Sequence, residues 1–129
     1  LKDLAVASYN LRDFNTAAKL GAEYLDLKPG DTEMVYMVSL ARKKLRNFES
    51  SADLAERVRL RDPRNIKNLL HLTEVHMLSG NLNRAQYILT QVREVEPENK
   101  RGAQLQERLE QMQAQKAKKQ SDFAFENVN

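Results

Sequence analysis

Two histidines, a scatter of carboxylates and a set of lysines are the residues here whose types could do chemistry, and their spacing limits what they can do. His71 and His76 lie five apart, which on a helix turns them roughly 140° from each other, so they cannot share a metal ion as a pair four apart could. His76 reads as a packing residue, and His71 as either a binding contact or a plain solvent-facing side chain. Glu94, Glu96 and Glu98 alternate around a helix end instead of converging on one point. Only four glycines occur, at 21, 30, 80 and 102, too dispersed to build a phosphate-cradling loop. With no cysteine there is neither a disulfide nor a thiolate metal site. No enzymatic activity, metal or cofactor is expected.

Charge and composition narrow the partner further. The formal net charge is +3, and the excess gathers near Lys116, Lys118 and Lys119, which read as the solvated end of a helix. Tyrosines and phenylalanines fall mostly on core-like positions, so the interleaved stacking rings of a nucleic-acid binder are missing and no nucleic acid is expected. No apolar run approaches the roughly 18 residues of a membrane span. A soluble protein is therefore expected, with the compartment open and the cytoplasm slightly favoured. Leu1 stands partway into a helical pattern with no initiator methionine, which predicts further sequence, in a longer chain or a complex.

What would position any binding residue is a repeat. Pro29, Pro63 and Pro97 stand 34 residues apart, each closing a helical pattern and each followed two residues later by Asp31, Asn65 or Asn99. Apolar residues at Leu1, Leu4, Ala5 and Leu11 keep helical spacing, as do Phe14, Ala17, Ala18, Gly21 and Leu25. The same alternation recurs from Val35 to Leu45, from Phe48 to Val58, from Leu69 to Ser79 and from Leu82 to Val92. Asp13, Asp31 and Asn47 are placed as N-caps. Each proline removes a backbone donor and pushes the residue before it out of the helical region. Gly80 serves the turn of the third helix pair, whereas Arg12 and Arg46 occupy the matching positions. A left-handed conformation would cost them about 1 kcal/mol, so the first two turns are expected to be looser or differently shaped.

In the first helix of each copy a large residue precedes a small one, at Leu4 and Ala5, Val38 and Ser39, Leu72 and Thr73, with Ala7, Ala41 and Val75 after them. Phe14, Phe48 and Leu82 open the second helices, and Ala17, Ser51 and Ala85 lie three further on. On these residues, together with the prolines, the chain resembles a tetratricopeptide repeat array. The resemblance implies an all-α fold, a right-handed solenoid of antiparallel helix pairs. Repeats are expected at 1–31, 32–65 and 66–99, a capping helix at 100–119 with a seam of Leu105, Leu109 and Met112, and a flexible tail at 120–129. Departures are few: Leu1, Val35 and Leu69 replace an early aromatic, and Tyr24, Val58 and Val92 a late small residue.

Concave binding, chiefly by the first helix of each repeat, is what the resemblance implies for function. Carried over by position, the groove takes Lys2, Val6, Tyr9 and Asn10 from the first repeat and Glu33, Tyr36, Met37, Leu40, Lys43 and Lys44 from the second. Lys67, Leu70, His71, Glu74, Met77 and Leu78 come from the third. Tyr36, Leu40, Leu70, Met77 and Leu78 are large apolar groups off the packing face, a usual mark of an interaction site. The best-known groove of this kind grips the C-terminal carboxylate of heat-shock chaperones with lysines, asparagines and an arginine. Here Lys2 and Lys67 match two of the cations, but Val6 and Met37 replace the asparagines and His71 the arginine. Weak or no binding of such a terminus is expected. The partner expected instead is a peptide or amphipathic helix with apolar anchors and acidic residues, the protein acting as scaffold or adaptor. The alternative is a structural subunit buried permanently in a larger assembly. Phe123, Phe125 and Val128, beside Asp122 and Glu126, form a candidate docking segment for a groove of this or a neighbouring molecule; a disordered tail is the alternative there.

Overall fold

A computed structural model describes residues 1–128, with side chains described through Glu126. Among the described residues seven helices follow one another: α1 (Lys2–Asn10), α2 (Phe14–Leu27), α3 (Thr32–Lys44), α4 (Phe48–Arg61), α5 (Ile66–Leu78), α6 (Leu82–Val95) and α7 (Lys100–Val128). No strand occurs among the described residues. Each helix packs on its successor, and α1 also touches α3, α3 touches α5, and α5 touches α7. The even helices make no such contacts with one another, so this helical-repeat solenoid curves towards its odd-numbered helices.

The helix boundaries follow from local chemistry. Asp13, Asp31, Asn47, Asn65 and Asn81 each accept a hydrogen bond from the backbone N–H three residues on, at Thr16, Met34, Ser50, Asn68 and Arg84. Asn99 does the same for Gly102 at the start of α7. Each such cap satisfies an otherwise unpaired donor and stabilises its helix by about 1 kcal/mol. Before the three prolines, Lys28, Asp62 and Glu96 take φ of −132°, −138° and −136°, the extended backbone that a following proline ring enforces.

The turns inside the helix pairs correct the sequence expectation. Arg12 and Arg46 adopt φ of 65° and 61°, close to the 81° of Gly80, so all three turns share one shape. Their hydrogen bonds also match: the N–H groups of Asp13, Asn47 and Asn81 reach back five residues to the carbonyls of Ser8, Arg42 and His76. This is the glycine-type helix ending, built twice on arginine. The guanidinium of Arg12 lies 5.4 Å from the Phe14 ring centre and that of Arg46 lies 5.2 Å from Phe48, a contact that offsets part of the backbone strain.

Small residues allow the helices to close up. Gly21 of α2 sits so near α3 that a Cβ there would stand 2.4 Å from Val38 Cγ2. The core is graded along the stack. Ala17, Ala18 and Ala41 gather at one end, whereas Leu69, Leu72, Ile88, Leu89, Leu105 and Leu109 form a larger cluster at the other. Through Leu105 and Leu109, α7 covers α5 and α6. It does not end near residue 119 as the sequence reading has it; the helix continues to Val128. The lysines that mark a change of composition, Lys116, Lys118 and Lys119, are good helix formers and break nothing.

Candidate functional site

The inner surface is built from α1, α3, α5 and the first half of α7, and its three sections differ in character. At the α1 end, Lys2 Nζ lies 2.8 Å from Asp31 Oδ2, the same oxygen that accepts the Tyr24 hydroxyl at 2.8 Å. The Lys2 and Tyr24 bonds hold the Asp31 carboxyl below its usual range, and Asp31 Oδ1 still caps α3. Lys2 is thus engaged with its own chain. Val6 and Asn10 are exposed, while Tyr9 is half-buried and packs edge-on against Phe14 at 5.4 Å.

In the middle, α3, α4 and α5 share a buried polar cluster. Ser39 Oγ donates to the Ser51 carbonyl and Ser51 Oγ donates to the Ser39 carbonyl, both at 2.7 Å. Ser39 Oγ has then spent its proton, so its 2.7 Å contact with His71 Nε2 requires the imidazole to donate from Nε2. Burial, with the Lys43 charge adding to it, pushes His71 down to about 4, which keeps the ring neutral. His71 therefore does not lie on the groove surface where the sequence reading placed it. Its ring is sealed under Tyr36, 5.7 Å away edge-on. Met77 is also buried, its side chain turned into the large core cluster. Tyr36, Met37, Leu40 and Leu70 are half-buried, presenting one side to solvent.

The α7 end carries the charge. Glu74 accepts a hydrogen bond from Lys43 of α3 and two from Arg101 of α7, at 2.8 and 2.9 Å. Burial alone would raise the Glu74 carboxyl; the Lys43 and Arg101 hydrogen bonds outweigh it and hold the group below its usual value. Beside this bridge lies a hollow of about 400 Å³ lined by Lys43, Glu74, Met77, Leu78, Arg101, Leu105, Arg108 and Met112. Leu78 and Arg108 are exposed at its edge, and Lys44 and Lys67 are exposed elsewhere along the same side. Sequence reasoning missed the α7 contribution, although the signal was available: Arg101, Leu105, Arg108 and Met112 stand one period after Lys67, His71, Glu74 and Leu78.

Phe123 and Phe125, the candidate docking residues, continue α7 as exposed side chains rather than folding back on the inner surface; the side chain of Val128 lies outside the described residues. Among the described residues no cluster of side chains could hold a metal ion, and no helix is long and apolar enough to cross a membrane.

With this geometry the class of fold is defined: helix pairs at a 34-residue period, stacked with their first helices inward. The chain has the tetratricopeptide-repeat fold. No family model and no curated protein matches it. Solved structures do. The tetratricopeptide-repeat domain of Arabidopsis OM64 is similar with a TM-score of 0.77 at 20% identity, over 85% of this chain and 91% of that one. The second such domain of human RPAP3, solved with the HSP70 peptide SGPTIEEVD, is similar with a TM-score of 0.78 at 16% identity, over 84% and 91%. The first repeat domain of Spaghetti, bound to the HSP90 peptide SRMEEVD, has a TM-score of 0.77 at 15% identity, over 88% and 92%.

Proposed function

We propose that the inner surface binds a helix or extended peptide carrying apolar anchors and acidic residues, so that the protein acts as a scaffold or adaptor without catalysing a reaction. The observation that carries this reading is the hollow between α5 and α7. Its apolar floor of Met77, Leu105 and Met112 is rimmed by Lys43, Arg101 and Arg108 against a single acid, Glu74. An apolar side chain of the partner fills the hollow, and a neighbouring carboxylate meets Arg108, whose charge has no acid bridged to it among the described residues. Similar domains solved with acidic peptides support the mode of binding.

A terminal carboxylate is not the preferred ligand. Lys2 is paired with Asp31, and His71 is buried and neutral, so two of the positions that would grip one are otherwise occupied.

The test is capture from native extract by the wild type and by a variant with Lys44→Glu, Arg108→Glu and Leu78→Ala. All three positions are exposed, so the helical signal stays unchanged while capture is lost. Equal capture by both proteins rejects the groove. Lys43 is left alone because its reversal would set a second carboxylate against Glu74.

A further inference from the structure

On its outer side the solenoid carries the same groove twice, once where α2 and α4 flank α3 and once where α4 and α6 flank α5. The two are in register by 34 residues, so each position of one has a counterpart in the other. In the second groove one carboxylate ties the helices together. Glu56 of α4 accepts from Arg59 at 2.8 Å and twice from Arg84 of α6, at 2.8 and 3.1 Å, with His76 Nε2 of α5 3.5 Å away. In the first groove Ala22 stands in the place of Glu56, while Leu25 replaces Arg59, Arg42 replaces His76 and Ser50 replaces Arg84. The acid is lost and a cation is kept. Arg42 is half-buried, its Nε is sealed from solvent without a hydrogen-bond partner, and no acid is bridged to it among the described residues. A buried donor left without an acceptor is costly and rare. Beside it lies a hollow of about 400 Å³, the size of a small-molecule site, walled on its apolar side by Leu25, Val38 and Leu54.

We propose that the hollow between α2 and α4 binds a short aliphatic carboxylate, its charged end on Arg42 and its stem against Leu25, Val38 and Leu54. The occupant of the second groove supplies the chemistry: there the same place is taken by a carboxylate on a two-carbon stem, that of Glu56. The charge of the hollow fits a single negative charge. Arg42 and Arg57 line it against one acid, Asp26, which is exposed and forms no ion pair with either arginine, and Ser50 adds a hydroxyl. A phosphate dianion would exceed that one net charge and would gain nothing from the apolar wall. The carboxylate comes either from a free acid or from the glutamate side chain of another protein. No lining residue is shared with the hollow at α7, so the two sites fill independently.

The experiment follows the Arg42 Nε–H signal of the full chain by nitrogen-edited NMR at constant ionic strength, with butyrate as probe. Butyrate shifts this signal saturably, whereas 1-butanol leaves it in place. Ala22→Glu supplies the missing acid from within, so the signal is already displaced without ligand and butyrate moves it no further. In Arg42→Gln, followed at the Ser50 amide, butyrate binds about tenfold or more weakly, since a charge-assisted hydrogen bond is lost. The absence of a saturable shift in the wild type overturns the proposal, as does an equal shift in Ala22→Glu. Tighter binding of inorganic phosphate than of butyrate overturns the choice of carboxylate. The capped peptide acetyl-Ala-Glu-Ala-amide separates the two sources: binding tighter than that of butyrate assigns the site to a glutamate of a partner, and weaker binding assigns it to a free acid.

Discussion

α1 and α5 are written in nearly the same pattern, yet α1 buries one residue, Ala5, whereas α5 buries eight. The leucines at 1 and 4 are no less apolar than those at 69 and 72. What differs is the neighbourhood: α5 has α4 on one side and α6 and α7 on the other, while α1 rests on α2 and the edge of α3. In a stack the stabilisation of a residue comes from where its repeat lies, because each unit contacts only its neighbours.

The most direct way to break this comparison is to truncate matched leucines. Leu72→Ala removes a fully buried side chain from the large cluster and costs about 2–5 kcal/mol. Leu4→Ala, at the matching position, changes stability by about 0.5 kcal/mol or less. Urea unfolding of the two variants measures both, and similar losses would mean that α1 is covered in solution.

A second difference between the repeats is titratable. The position of His71 is held in the first repeat by Asp3, which is exposed. His71 is neutral when folded, with its value pushed from 6.5 to about 4, whereas the unfolded chain takes up the proton near 6.5. Stability is therefore complete above that value and falls as pH drops towards 4, by about 3 kcal/mol over the whole window. Burial lowers His76 as well and adds in the same direction. Glu56 and Glu74 are held below their usual value of 4.5, so their contribution is lost only at lower pH. His71→Gln keeps a donor for Ser39 and cannot titrate. It flattens the pH dependence between 6.5 and 4 in urea unfolding, and an unchanged slope would place the sensitivity elsewhere.

These contrasts also separate what could be read from the chain alone. The caps at Asp13, Asp31 and Asn47, the proline stops and the small residues at the crossings are local signals, and the helices begin and end where those residues demand. The burial of His71 was not legible because it depends on Ser39 and Ser51, 32 and 20 residues away in sequence, whose mutual hydrogen bonds leave an acceptor for the imidazole. The inner surface was found only in part. α1, α3 and α5 carry proline-marked repeats, whereas α7 has lost the small-residue pattern, and its arginines looked like surface charge until the helix lay beside Glu74. Exposure of Leu1 and Leu4 was hidden for the same reason as the burial of Leu69 and Leu72: one pattern serves both.

The smallest expected effect tests the three turns. Gly80 reaches its left-handed φ without steric cost, and Leu82 two residues on offers no ring. Gly80→Arg therefore destabilises by about 1 kcal/mol, the ordinary cost of a side chain in that region. Arg46→Gly removes a strain of the same size, but it also removes the guanidinium from the Phe48 ring, a contact stabilising by about 0.5–1 kcal/mol, and loosens the unfolded chain. These terms oppose one another, so Arg46→Gly shifts stability by about 0.5 kcal/mol or less. A full 1 kcal/mol gain in thermal or urea unfolding would show that the ring contact contributes nothing and that the second turn simply carries an unrelieved arginine.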